Sequence, residues 1–182
     1  MSSKIRLLLA TGVFLVLLAA AGVYLRGISV RPVRTLPRYG RFPEFALPDV
    51  SGKLWRGADL RGSIWLASSF PGKCSFCAVM ALKMADLQAS LEKARGVVLV
   101  SFVSDPALRE AGRMPELAKE FGAKPGRWVF LAGDPASVPP GTVLLVDPAG
   151  ETRAEFDVTG PDFSSEALDS VGDLIREGRG RR

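Results

Sequence analysis

The chain has 182 residues, of which 47% are hydrophobic, and a formal net charge of +5, but it contains no histidine. This length allows one ordinary globular domain and an appendage, and the absence of histidine excludes serine–histidine triads, cysteine–histidine pairs and imidazole metal sites. Residues 1–43 carry seven Lys or Arg and no acid, so the remaining 17 basic and 19 acidic residues give a balance of −2. We therefore expect no nucleic-acid binding, and we expect the basic segment to attract anionic lipid headgroups.

The N-terminal segment predicts a membrane helix. Residues 7–25 are 19 uncharged residues dominated by Leu, Ala and Val, and as a helix they would span about 28 Å, close to the ~30 Å hydrocarbon core of a bilayer. We interpret residues 1–26 as an uncleaved transmembrane signal anchor, with cleavage after Ala21 and release of a secreted domain as the alternative.

Two sequence signals disagree about the side of the membrane on which the domain lies. The arginines after the apolar segment would by a literal charge count place the domain in the cytoplasm. A lone dithiol on a tethered domain favours the outer face, where such pairs exchange with other proteins' thiols. We expect a single-pass protein of the cell (inner) membrane with its domain on the periplasmic side.

A linker separates the apolar segment from the domain. Gly27 to Pro43 carries three prolines, spaced arginines and little apolar periodicity, which indicates a tether over residues 27–42. The domain is expected to span residues 43–178, with a disordered tail over 179–182.

Within the domain, hydrophobic periodicity predicts an alternation of strands and helices. The continuous apolar run over 97–103 is typical of a central strand buried on both faces. The order predicts an α/β, thioredoxin-like, three-layer fold in which helices flank a central mixed sheet. In chain order we first predict a hairpin over 45–55, a strand over 63–69 and a helix that opens near Cys74 and runs to about Arg95. A strand over 97–103, a helix over 115–121 and two strands over 128–131 and 142–146 follow. A partner strand over 151–156 and a last helix over about 164–177 complete the domain.

The only two cysteines, Cys74 and Cys77, lie where the first buried strand gives way to a helix. If the helix begins near Cys74, the free amides of its first turn, the helix dipole and the neighbouring Lys73 would lower the pKa of Cys74 from its free value of about 8.5. Cys74 would then attack a partner disulfide, and Cys77 would resolve the mixed disulfide and close the Cys74–Cys77 bridge.

Other uses of these residues stay open. Two thiolates could bind Cu(I), with the thioether of Met80 or Met84 as a further ligand, although methionines at helical spacing are usually core residues. Zinc is disfavoured because two thiolates leave its coordination unfilled. Asp105 could accept a proton near the dithiol, or it could form a turn with Pro106.

A series of short segments gives the chain a family resemblance. They are Leu87-Gln88, Val100-Ser101-Phe102 with Asp105-Pro106, Leu117-Ala118, Phe121-Gly122-Ala123, Pro125-Gly126-Arg127-Trp128 and Leu131-Ala132-Gly133-Asp134. Together with Phe70, seven residues before Cys77, these segments resemble the Sco/SenC family, membrane-anchored thioredoxin-fold proteins of cytochrome oxidase copper-site assembly, and the likeness runs from about Phe45 to Leu174. The family usually has three residues between its cysteines and a copper-binding histidine just before Thr142, whereas this chain has two residues and no histidine.

The resemblance completes the functional hypothesis. Thioredoxin-type proteins place a proline before the penultimate strand, against the dithiol. Pro139 or Pro140 would hold that place, unless the pair only forms a loop. We interpret the chain as a membrane-tethered thiol–disulfide oxidoreductase that acts on exported proteins, an oxidase subunit being the partner that the resemblance implies. The alternatives are a Cu(I) carrier that uses both thiolates and a non-catalytic assembly factor.

Overall fold

The structure, a computed structural model, describes residues 13, 14, 17, 18, 20, 22, 34–72, 74–110, 112–135 and 138–180. The chain divides into two compact units, Met1–Val33 and Arg34–Arg182. The predicted anchor over 1–26 lies mostly outside the described residues, and the six described ones are helical. Among the residues described, no helix combines the length and the apolar character needed to cross a bilayer.

In the residues that the structure describes, seven strands form a small hairpin and a central five-stranded sheet. The middle strand of the sheet is parallel to the strand on one side and antiparallel to the strand on the other. The hairpin is β1 (Ala46–Pro48) with β2 (Leu54–Arg56), and the sheet contains β3 (Ile64–Phe70), β4 (Val97–Val103), β5 (Trp128–Ala132), β6 (Thr142–Val146) and β7 (Thr152–Asp157). The order across the sheet is β5-β4-β3-β6-β7.

In the described part of the domain, four α-helices alternate with or follow these strands: α1 (Cys77–Ser90), α2 (Pro106–Glu110), α3 (Met114–Glu120) and α4 (Phe163–Gly180). Residues of α1, α3 and α4 pack in one core cluster on a single face of the sheet, with Leu66 and Phe70 of β3. The steps from β3 to β4 and from β4 to β5 run in the same direction, and right-handed crossovers then place both connecting helices on one face.

The opposite face has a different cover from the one that we predicted. Alternate residues of β3, Trp65 and Ala67, point to a second cluster that includes Phe42 and Leu60 and receives Phe45, Leu47 and Trp55. In the described part of the chain no helical residue of α1–α4 belongs to this cluster. The third layer is therefore the hairpin and its flanking segments, which include a short 3-10 helix (Gly57–Leu60), and not α-helices.

The strands match the predicted elements more closely than the helix ends do. Strands β4 and β6 have the predicted bounds, whereas α1 begins at Cys77, not Cys74, and ends at Ser90, not Arg95. After Ser90 the amides of Glu92 and Ala94 bond to carbonyls three residues back, which makes turns in place of the helix. Residues 179 and 180, which we expected in a disordered tail, belong to α4.

The predicted tether over 27–42 is wrong for its second half. Leu36 and Phe42 are buried, so the segment contributes to the core of the domain. Its backbone runs beside β7: the Tyr39 amide donates to the Thr152 carbonyl at 2.9 Å, and the Thr152 amide donates to the Gly40 carbonyl at 2.8 Å. The domain therefore begins near Arg34, and its buried apolar residues all lie between Leu36 and Leu174.

A buried arginine fixes this segment. Arg153 is only 2% exposed, and its guanidinium donates to the carbonyls of Leu36 at 2.8 Å and Pro37 at 2.9 Å. It also pairs with Asp147 at 2.9 Å and with Glu177 at 3.0 Å. One side chain thus joins the entry segment, the β6–β7 turn and the end of α4.

Candidate redox site

The two cysteines lie at the carboxyl end of the central strand. Cys74 and Cys77 form a disulfide with a Cα–Cα distance of 5.3 Å, and both residues are half-buried. The carboxyl ends of β3, β4 and β5 meet at this edge because the three strands are parallel. In open α/β sheets this edge is where reactive groups gather.

The turn that carries the disulfide leads directly into α1. The Cys77 amide donates to the Cys74 carbonyl at 3.3 Å, and Phe76 is the residue before the first helical one. Cys74 thus lies just before the helix, not at its cap as we predicted. The unpaired amides and positive dipole end of the first turn still favour a thiolate at this place.

The two sulfurs have different surroundings. Cys77 packs against the core cluster that contains Met80, and its Sγ lies 3.3 Å from the Gly72 carbonyl oxygen. In the reduced protein the Cys77 thiol can donate to that oxygen, which stabilises its protonated form. This asymmetry suits Cys74 to the attacking role and Cys77 to the resolving role.

Asp105 packs against the loop that holds the cysteines. Gly72 has a φ of +94°, and a Cβ at this position would lie 2.6 Å from Asp105 Cγ. Asp105 also accepts the Ala107 amide at 2.9 Å, at the start of α2. The turn that we predicted for Asp105 is therefore present, and the carboxylate also lies beside the dithiol loop. Gly72 itself was missed by the sequence analysis, although a glycine directly after Pro71 is a turn signal.

We expect Gly72→Ala to destabilise the domain by more than the 1–3 kcal/mol of an ordinary left-handed residue, because the new Cβ also collides with Asp105. The second substitution in Gly72→Ala/Asp105→Ala removes the two closest colliding atoms, Asp105 Oδ2 and Cγ, and leaves the contact with the Cβ of residue 105 at 2.7 Å and the backbone strain. Urea unfolding of the two variants and of Asp105→Ala alone measures the difference. If Gly72→Ala lowers the free energy of unfolding by the same amount in the unsubstituted domain and in Asp105→Ala, the result contradicts this packing.

The loop before β6 reaches the dithiol turn through a glycine. A Cβ at Gly141 would lie 3.9 Å from the Phe76 ring, and Phe76 stands between the two cysteines. Pro139 and Pro140 are exposed, and the Pro139 carbonyl accepts the Thr142 amide at 3.1 Å and the Thr142 hydroxyl at 2.7 Å. The loop thus lies beside the site, and a role for Pro140 stays a prediction.

The two predicted thioether residues lie in the core. Met80 and Met84 are completely buried, so neither thioether is exposed to solvent. Lys73 lies outside the described residues. Within the described ranges no group of three or more His, Cys, Asp or Glu residues could hold a metal, and the sequence has no histidine. The three-ligand copper site that the resemblance implies does not fit this chain.

A mixed five-stranded sheet with a Cys-x-x-Cys disulfide after its central strand defines a thioredoxin-like domain. Neither the family models nor the curated protein sequences give a match to the chain. Solved structures do match it. A SCO1/SenC family lipoprotein from Bacillus anthracis has a TM-score of 0.68 at 18% identity, over 79% of this chain and 99% of that one.

Two further neighbours belong to the same group. BsSco, a member of the Sco family of cytochrome c oxidase assembly proteins in which a disulfide switch was identified, has a TM-score of 0.65 at 20% identity, over 79% of this chain and 98% of that one. Copper-bound ScoI from Bradyrhizobium japonicum has a TM-score of 0.54 at 18% identity, over 72% and 97%. The resemblance to Sco/SenC proteins is thus confirmed for the fold.

Proposed function

We propose that the protein is a membrane-tethered thiol–disulfide oxidoreductase of Sco-like fold that exchanges disulfides with exported proteins. The Cys74–Cys77 disulfide at the carboxyl edge of the sheet supports this proposal most directly. A bridge that closes so short a loop adds little stability, which argues for a reactive role over a structural one. An oxidase subunit is the partner that the Sco neighbour suggests, and the cysteines of its copper site are the target that the family resemblance implies.

The reaction uses only the two sulfurs. In the reduced protein the Cys74 thiolate attacks a partner disulfide, forms a mixed disulfide and releases one partner thiolate, which takes up a proton. The Cys77 thiol then loses its proton and attacks Cys74 Sγ. The bond between Cys74 and the partner breaks, the second partner sulfur leaves as a thiol, and the Cys74–Cys77 bridge forms. Two electrons pass from the dithiol to the partner, and the reverse sequence oxidises a partner dithiol.

The surroundings of the site support this sequence. The Gly72 carbonyl oxygen lies 3.3 Å from Cys77 Sγ and can accept a hydrogen bond from the Cys77 thiol in the reduced protein. Asp105 packs against Gly72 and fixes the loop, so we assign it a positioning role. Both cysteines are only half-buried, so a partner sulfur can reach them at the edge of the sheet.

A second candidate function is carriage of Cu(I) as cargo. The two sulfurs converge in one turn, and a neighbour of the same fold was crystallised with copper. In the reduced state two thiolates can bind the soft Cu(I) ion without histidine. The buried Met80 contributes no ligand to this arrangement.

A redox titration of residues 34–182, with and without Cu(I), separates the candidates. A midpoint potential between about −270 and −180 mV, together with turnover on a model disulfide, supports the oxidoreductase. Stoichiometric Cu(I) binding that survives a strong chelator, without turnover, supports the carrier. Retained activity in cells of the Cys74→Ser/Cys77→Ser double variant would leave only a docking role. Alkylation of neither thiol in the native reduced protein would contradict both thiol-based functions.

The membrane tether and its orientation need a separate test. We expect the full chain to fractionate with membranes at its full length and to be digested by protease added to the outer side of intact spheroplasts. A protein that is released at the size expected for cleavage after Ala21 would instead support a secreted domain. Digestion only after the membrane is broken would place the domain in the cytoplasm.

A further inference from the structure

The two ends of the central sheet carry opposite charge. The sequence segments at the dithiol end, residues 70–77, 104–113, 132–142 and 157–166, contain three Lys or Arg and six Asp or Glu. The segments at the other end, residues 34–44, 57–63, 91–97, 124–127, 147–151 and 176–180, contain ten Lys or Arg and six Asp or Glu. We call the second surface the basic end and define it by its exposed cations Arg34, Arg38, Arg41, Arg61, Arg95 and Arg179.

Part of this charge is compensated by neighbouring acids. Arg61 pairs with Glu44 at 3.3 Å, and Arg38 Nη1 lies 2.8 Å from Glu151 Oε2 without hydrogen-bond alignment. Among the described arginines of the basic end, Arg34, Arg41, Arg95 and Arg179 make no ion pair. These four guanidinium groups are available for an external anion, and three of them lie near the two ends of the domain sequence.

The arginines of the entry segment are parts of the folded domain. The Phe42 amide donates to the Gly150 carbonyl at 2.9 Å, and Arg153 holds the carbonyls of Leu36 and Pro37. Arg153 also holds Glu177, two residues before Arg179. The fold therefore brings basic residues from both ends of the domain sequence to one surface.

The short stretch of chain between the apolar segment and the domain indicates what the basic end contacts. Only eight residues, 26–33, separate the apolar segment from the start of the domain, and fully extended they reach about 28 Å. If the anchor is retained, the basic end stays within that distance of the membrane. The dithiol lies at the far end of β3, whose seven residues span roughly 23 Å.

We infer that the basic end binds the surface of an anionic phospholipid bilayer and thereby holds the dithiol edge away from the membrane. Each Lys or Arg near such a surface contributes about 1 kcal/mol of attraction. Binding in this orientation leaves Cys74 and Cys77 facing the aqueous compartment. This inference rests on the membrane tether of the proposed function and not on its redox chemistry, so a protein that is inactive in disulfide exchange can still bind the lipid surface.

Co-sedimentation of residues 34–182 with vesicles tests this inference, because this fragment contains the whole described core. We expect binding to vesicles of phosphatidylcholine with one part in three phosphatidylglycerol, little binding to phosphatidylcholine alone, and loss of binding at high salt. Arg34→Gln/Arg41→Gln/Arg179→Gln should weaken the partition coefficient by roughly a hundredfold, a factor of five for each arginine. The control Arg109→Gln/Arg113→Gln/Lys119→Gln removes the same charge from exposed positions elsewhere and should retain most of the binding.

Hydrogen exchange of the full chain in nanodiscs tests the orientation. Anionic lipid should slow exchange of the amides over 38–42 and 148–152 and leave those of 74–77 unchanged. Equal losses in the two triple variants, equal binding to both vesicle types, or protection at the dithiol turn would each overturn the inference. Thermal melts of both variants, which should match the unsubstituted domain, exclude unfolding as the cause of lost binding.

Discussion

Cys74→Ser should reduce disulfide exchange to the rate measured without protein. The attacking thiolate is the group that opens the partner disulfide, and a serine hydroxyl is not ionised at neutral pH. Cys77→Ser should behave differently, because Cys74 still attacks but no second sulfur resolves the product. We expect this variant to accumulate a covalent complex with the partner, visible as a band that disappears when a reductant is added.

Ser75→Ala is the matched control, since Ser75 is an exposed residue between the cysteines, and it should retain most of the activity. The inverse pattern, with trapping by Cys74→Ser and inactivity of Cys77→Ser, would exchange the assigned roles. Undiminished exchange in either single variant would contradict the dithiol mechanism.

Arg153→Met should lower the free energy of unfolding by about 3–5 kcal/mol. The substitution leaves the carboxylates of Asp147 and Glu177 and two backbone carbonyls without the cation that they share. For a domain of this size the loss corresponds to a fall in Tm of roughly 10 °C. Urea unfolding and calorimetry of residues 34–182 measure both quantities.

Arg61→Met provides the comparison, because Arg61 and Glu44 form a solvent-exposed pair, and such pairs contribute about 0–1 kcal/mol. The entry segment should also lose protection in Arg153→Met, so its amides over 36–42 should exchange faster than those of β4. A cost for Arg153→Met as small as that for Arg61→Met would refute the clamp.

Several residues that carry the family resemblance stabilise the fold far from the dithiol. The Gln88 side chain donates to the Gly122 carbonyl at 3.0 Å and accepts the Lys124 amide at 2.7 Å. Arg127 donates to the Ala94 carbonyl at 2.6 Å, and the Trp128 indole donates to Ser101 at 2.8 Å. The shared segments therefore reflect how α1, β4 and β5 are joined. This explains why the resemblance predicts the fold better than it predicts the copper ligands.

The sequence determined the sheet and the reactive pair. Continuous apolar runs such as 97–103 have few alternatives to a buried strand, and two lone cysteines in a chain without histidine leave little other chemistry. The sequence pattern predicted the two ends of α1 less accurately, because turn hydrogen bonds and helix hydrogen bonds compete there over one or two residues.

Only the tertiary structure decided which distant residues act together. The segment over 36–42 looks like a linker because its apolar residues, Leu36 and Phe42, are sparse, and its hydrogen bonds go to β7, more than a hundred residues away. The same holds for Arg153, whose burial depends on partners from three separate segments. The contact of Gly72 with Asp105 and the gathering of basic residues at one end of the sheet likewise arise only when the strands are aligned, since sequence patterns report local periodicity and not distance in space.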